Sequence, residues 1–426
     1  MKAFRGTLVD FTGDPRTEPD ALRCVEDGLL VVDEGRIVSR SSFTEKEAKD
    51  LEVEDFSGRI LVPGFIDAHV HSAQTDVIAS HGDGLLDWLD RHTFPSEARF
   101  ADAGHARQAS EYFLDELLRN GTTTAAVFPS VHPESVEEFF KAAERRALRM
   151  VAGKVMMDRN CPEEVRDQAE SSYRDSQALI RRWHGRARLG YAVTPRFAPT
   201  SSERQLELAG RLLQEHPGVL LQTHLSENED EVRWVRELFP WARNYVEVYE
   251  RYGMIRPGGL FAHCLHLDHG EWARLAAQGA AAVHCPSSNL FLGSGLFDFA
   301  AARRAGAAVA LGSDVGGGTS FSMLRTMHEA HKVAQMRRLP FDALDGFYLA
   351  TLGGARALGL QERIGSFEPG READFIVLRP DATPLLARRM AQAQTIAARL
   401  FLLMSLGDER AIEATYILGA SSRVSF

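Results

Sequence analysis

The chain has 426 residues, 44% hydrophobic and 25% charged, with a formal net charge of -10 at pH 7. That length suits two domains, or one large α/β barrel with an appendage. The acidic balance argues against a nucleic-acid polymer as partner, because phosphate binding needs a basic face; it leaves room for an uncharged free base. No run approaches the ~18 apolar residues of a membrane span. The start, Met1-Lys-Ala-Phe-Arg-Gly, has no apolar signal core, and Cys24, Cys161, Cys264 and Cys285 form no Cys-x-x-Cys. A cytoplasmic protein with reduced thiols is expected.

Residues 1–60 carry strand-like pieces, Thr7-Leu-Val-Asp and Gly28-Leu-Leu-Val-Val-Asp-Glu-Gly35-Arg-Ile-Val, separated by turns such as Asp33-Glu-Gly. They predict antiparallel hairpins. Next comes Leu61-Val-Pro-Gly-Phe-Ile-Asp67-Ala-His69-Val-His71, which reads as a buried strand entered through a tight turn at Pro63-Gly64. Strand side chains alternate faces, so His69 and His71 point the same way. From there to Asp314, apolar β-type runs alternate with amphipathic stretches. Eight such runs end near Asp67, Phe128, Met157, Val193, Thr223, Ala262, Val283 and Gly312. One intervening helix is expected to take Ser135 as its N-cap, with acids in its first turn. Another places Ala109, Phe113 and Leu117 on one face and stops at Gly121. Helices are predicted over 323–335 and 341–358, after which strand-like pieces return at Gly370 and Ala414. The expected architecture is an α/β fold: a (β/α)8 TIM-type barrel over 61–364, with a small β-sandwich built from both termini, 1–60 and 365–426.

Polar residues gather where the runs stop. His69 and His71 follow the first, Arg196 and Phe197 the fourth, and His224 and Glu227 the fifth. His263 ends the sixth, His284 the seventh and Asp314 the eighth. Any lone histidine among them is more simply a satisfied core residue, but a barrel aims all these ends at one pocket. His69, His71, His224 and Asp314 form a mixed N/O set suited to Zn²⁺ or Fe²⁺, with a position left for water. Glu227, three residues past His224, fits a proton shuttle; its plainer reading is a first-turn helix acid, since Asn228-Glu-Asp-Glu follows. His263 is a candidate to orient the water, and His284 leans toward a structural role. Lys154 raises a bridged two-metal site, which the Arg-Phe after the fourth run and the Glu after His224 disfavour. No Gly-x-x-x-x-Gly-Lys or Pro-Cys-x-x-Cys is present.

These motifs resemble the amidohydrolase superfamily and, within it, the guanine deaminase family. The likeness rests on Pro63-Gly-Phe-Ile-Asp-Ala-His-Val-His71, Gln74, Leu85-Leu-Asp-Trp-Leu89 with Thr93-Phe-Pro-Ser-Glu97, and Asn120-Gly-Thr-Thr-Thr124. It continues through Val193-Thr-Pro-Arg-Phe197, Thr223-His-Leu-Ser-Glu-Asn228, Ala262-His-Cys264, His284-Cys-Pro-Ser-Ser-Asn-Leu290, Gly312-Ser-Asp-Val-Gly-Gly-Gly318 and Ala350-Thr-Leu-Gly-Gly354. The resemblance implies hydrolysis of guanine to xanthine and ammonia, by hydroxide attack at C2, with one Zn²⁺ per subunit (Fe²⁺ the alternative) on His69, His71, His224 and Asp314. It implies Glu227, His263 and Asp314 as catalytic residues. Gln74, Arg196 and Phe197 would hold the base, alongside His71, His224, Glu227 and Asp314. Arg196 offers only donors, which suit O6 and N7 of guanine and oppose the 6-amino group of adenine. Phe197 is as readily simple core packing, and Trp88 and Phe94 are candidates for a pocket wall or a subunit contact. A homodimer is implied by the resemblance alone. The competing readings are a related deaminase for 8-oxoguanine, a pterin or a triazine, and a non-catalytic scaffold.

Overall fold

The computed structural model describes residues 1–422. Eight parallel strands hydrogen-bond in chain order: β1 Phe65–His71, β2 Thr122–Phe128, β3 Arg149–Ala152, β4 Gly190–Pro195, β5 Leu220–Leu225, β6 Gly259–His263, β7 Ala281–His284 and β8 Ala308–Leu311. They match the eight apolar runs of the sequence, except that the third, expected to end near Met157, stops at Ala152, and a separate short strand Val155–Met156 pairs with β4. Helices alternate with them, among them Ala103–Arg119, Pro133–Arg145, Ala169–Trp183, Glu203–Glu215 and Met323–Met336.

The ring closes just beyond β8. Asp314 N–H donates to His69 O at 2.9 Å, and His71 N–H donates to Val315 O at 2.8 Å. Gly312 makes this seam: a Cβ there would lie 2.8 Å from His69 Cβ and 3.0 Å from His69 O.

Strands from both ends of the chain form one mixed sheet of seven beside the barrel. Its middle strand, Glu52–Pro63, pairs parallel with Lys2–Phe11 and antiparallel with Phe375–Leu378. The edge strand Arg36–Ser42 meets the segment that leads into Phe375–Leu378 through Ile37, whose N–H donates to Arg371 O at 2.8 Å. Phe4, Leu8, Leu61, Phe375 and Tyr416 fill the enclosed core. The hairpins expected in the first sixty residues are present, Lys2–Phe11 with Leu22–Asp33 and the latter with Arg36–Ser42.

Three local expectations are corrected. Pro63-Gly64 is not a tight turn: the chain leaves one sheet at Pro63 and enters the barrel at Phe65. Gly64 is needed because a Cβ would meet the Thr123 side chain at 2.2 Å. Ser135 is not an N-cap, since the helix already starts at Pro133; its hydroxyl donates to His132 O at 2.7 Å. Finally, the C-terminal segment is not all strand. Helices Pro384–Met390 and Ile396–Leu406, capped by Thr383 and Thr395, bury Leu386, Leu400, Leu403 and Met404.

Candidate active site

β1 ends with two histidines on its inward face, and their Nε2 atoms lie 3.2 Å apart. Asp314 Oδ1 sits 3.2 Å from His69 Nε2 and 3.3 Å from His71 Nε2. His224, brought in by β5, completes a buried group whose donor atoms all lie within 4.8 Å of one another. Burial pushes all three imidazoles down, His71 to about 3, so each is neutral and carries a free lone pair. Burial alone would raise Asp314, but His69, His71 and His263 hold it well below the usual carboxylate range. His224 Nδ1 lies 2.7 Å from Arg196 O, so the Nδ1–H tautomer leaves Nε2 for a cation. Three neutral nitrogens and one anionic oxygen fit a divalent metal with a coordination position to spare. His69, His263, Cys285 and Asp314 form an overlapping group. Burial pushes the Cys285 thiol well up, away from the thiolate that a metal takes, so the three-histidine set is the better match.

Backbone strain gathers at this rim. Ser226, His263, Cys264 and Asp314, none of them glycine, have φ between 51° and 73°; such conformations persist only where surrounding contacts over-determine them. Part of that support is Asp67. Its carboxylate accepts Ser313 N–H at 3.0 Å, the Ser313 hydroxyl, and His69 N–H at 3.2 Å. It thereby ties the ligand-bearing end of β1 to the segment after β8, and burial lifts it to about 6.

Beside the ligand group lies a narrow cavity. His71, His224, Glu227 and Asp314 form its polar end; Gln74, Arg196, Phe197, Leu85, Trp88 and Leu89 are among its walls. Glu227 precedes the helix Glu229–Leu238 and is not a first-turn acid. Burial, then the charges of Asp314 and Glu231, raise it well above the usual range. One carboxyl is therefore pushed up and its neighbour down, the division of labour that acid–base chemistry needs. His263 stands between them, with Nε2 3.4 Å from Glu227 Oε2 and 3.8 Å from Asp314 Oδ2, while Asn289 Oδ1 lies 2.8 Å from its Nδ1.

Residues 60–420 match the Amidohydrolase family. The chain is 47% identical over 425 residues to guanine deaminase of Escherichia coli (strain K12), spanning 98% of this chain and 97% of that one. It superposes on a solved structure of E. coli guanine deaminase with a TM-score of 0.97 at 46% identity, covering 99% of each chain. Guanine deaminase from C. acetobutylicum, solved with guanine bound in its active site, gives 0.91 at 29% identity, again over 99% of each. The chain belongs to the amidohydrolase family.

Membership of this metal-dependent family agrees with the donor set, and the barrel gathers every residue singled out for the site. Others lie elsewhere. His284 stacks on Phe297 at 4.6 Å and stays outside the three-histidine group. Lys154 turns away to pair with Asp167 and to donate to Ser172 Oγ at 3.2 Å. Trp88 lines the cavity, whereas Phe94 packs behind it with Arg196 5.6 Å from its ring centre. Sequence reading missed the supporting roles of Asp67, Ser313 and Glu97. The signal for Glu97 was available: a buried cationic Arg196 demands a carboxylate partner.

Proposed function

We propose that the chain is a guanine deaminase, converting guanine and water to xanthine and ammonia. The observation that carries this reading is a single cavity in which Gln74, Arg196 and Phe197 face the ligand group and Glu227. A divalent ion on His69, His71, His224 and Asp314, Zn²⁺ by its fit to nitrogen-rich sets, would make hydroxide available near neutral pH.

The chain's own residues do the rest. Arg196 donates to O6 and N7 of the base, the Gln74 amide reads a ring edge, and Phe197 lies against the purine. Asp314 accepts the proton given up by the attacking water as oxygen bonds to C2. Glu227, its acidity weakened by burial and by the charge of Asp314, donates in its acid form to N3 so that charge does not build on the ring. Glu227, now ionised, takes the remaining proton of the added oxygen and passes it to the 2-amino group, the C2–N bond breaks, ammonia leaves, and Asp314 returns its proton to Glu227. His263 orients the water and steadies Glu227.

The test is incubation of the zinc-loaded protein with guanine, following xanthine by ultraviolet absorbance and ammonia by a coupled assay. Absence of turnover, or preference for 8-oxoguanine, a pterin or a triazine in the same panel, overturns the reading. A homodimer in the cytoplasm and a division at residues 60/61 and 364/365 belong to the same proposal. Light scattering, localisation of the expressed protein and limited proteolysis test them in turn. Among the described residues no helix is long and apolar enough to cross a membrane.

A further inference from the structure

Glu97 is fully buried at the end of the short helix Phe94–Ala98 and does not line the cavity. Two residues that do line it converge on its carboxylate. Gln74 Nε2 donates to Oε1 at 2.9 Å, and Arg196 Nη1 donates to Oε1 and Oε2 at 2.7 and 2.9 Å. Gln74 follows β1 and Arg196 follows β4, so one carboxylate joins three separate segments. We propose that Glu97 is a positioning residue for guanine recognition, aiming the Gln74 amide and the Arg196 guanidinium at the base.

The geometry of each partner supports this. Gln74 is held at both ends of its amide, because Gly316 N–H donates to its Oε1 at 3.3 Å. An anionic acceptor at the other end dictates which way the amide faces, and so leaves its second N–H for the ring edge. Arg196 is 3% exposed, and among the described residues Glu97 is its only carboxylate ion-pair partner. With Nη1 committed to Glu97, the planar fork keeps one orientation and its other N–H groups are aimed together. Lacking that anion, a buried guanidinium would swing toward whatever oxygen it can reach, and Asp314 and Glu227 line the same cavity. The rival account is that Glu97 only staples its helix to the barrel. A staple would affect stability without distinguishing one purine from another.

The inference rests on the guanine reading, so the parent protein is measured first. Glu97→Gln keeps the shape and removes the charge. In the zinc-loaded E97Q variant, the guanine KM should rise about tenfold or more with kcat within about threefold, the signature of binding lost equally in ground and transition states. The inhibition constant of 2-aminopurine, which lacks O6, should rise by a smaller factor. An unchanged KM in folded, zinc-loaded E97Q, or an equal rise for both purines, overturns the proposal. If E97Q does not fold, Glu97→Asp carries the test, since it keeps the charge but withdraws it by one methylene; its KM should rise, and an unchanged value overturns the proposal. A parent inactive on guanine overturns the functional reading and this inference together, whereas an active parent with unchanged variants overturns the inference alone.

Discussion

Glu227 and Asp314 are two carboxyls in one pocket whose acidities are shifted in opposite directions. Both are buried, and the difference lies in their neighbours. Asp314 faces His69, His71 and His263, whereas Glu227 faces the negative charges of Asp314 and Glu231. Adding a proton to one favours ionisation of the other, so the pair exchanges protons without a net charge entering the cavity. Glu227→Gln fixes the second carboxyl in a neutral form that cannot give its proton away. Its kcat on guanine should fall by about 10² to 10⁴, the usual worth of a positioned acid–base group. KM should stay within about threefold, and the metal content at the parent's level, because Glu227 is outside the ligand set. Turnover near the parent's rate in a metal-replete variant would remove Glu227 from the proton path.

The seam between β1 and β8 converts the fold into a metal site. Two backbone hydrogen bonds and the Asp67 carboxylate hold His69 and Asp314 side by side, and this closeness is possible only because residue 312 has no side chain. Gly312→Ala should therefore push on His69 itself. Overpacking of this kind costs about 1–3 kcal/mol, visible in a urea titration, and metal retained after dialysis should fall with it. An unaltered unfolding midpoint with full metal content would mean that the seam yields freely. The strands of this seam were legible in the sequence because parallel strands covered on both faces become continuous apolar runs. The ligands were legible because they end such runs. For Arg196 the sequence could demand a carboxylate partner but not say which, since Glu97 lies 99 positions away and no local pattern links the two. The two late helices were obscured by the expectation of strand after residue 365. Thr383 and Thr395, each bonded to a backbone N–H in the first turn, were the overlooked signals.

At the scale of the whole molecule, the barrel's two ends have different tasks. The ligand set and cavity occupy the C-terminal strand ends, and the opposite end is pinned to the terminal sheet. The pin is a buried cluster of charges. Arg149, which begins β3, donates from Nε to Glu372 Oε2 at 2.8 Å. Arg188, just before β4, donates to the same oxygen at 2.7 Å and also pairs with Asp374. Asp374 in turn accepts Leu418 N–H at 2.9 Å, so the last strands of the chain are drawn into the same knot. Burial by itself would raise the Glu372 carboxyl, but Arg149 and Arg188 outweigh it and hold Glu372 below the usual range. Glu372→Ala would leave two buried guanidiniums with less counter-charge and an empty space between barrel and sheet. Removing one partner of a buried ion pair typically costs about 3–5 kcal/mol, because the remaining charge has lost its compensation. The expected result is a lower urea midpoint with guanine KM, kcat and metal content close to the parent's, since none of these residues lines the cavity. A loss of activity without a loss of stability would show instead that the terminal sheet acts on the catalytic end through the barrel.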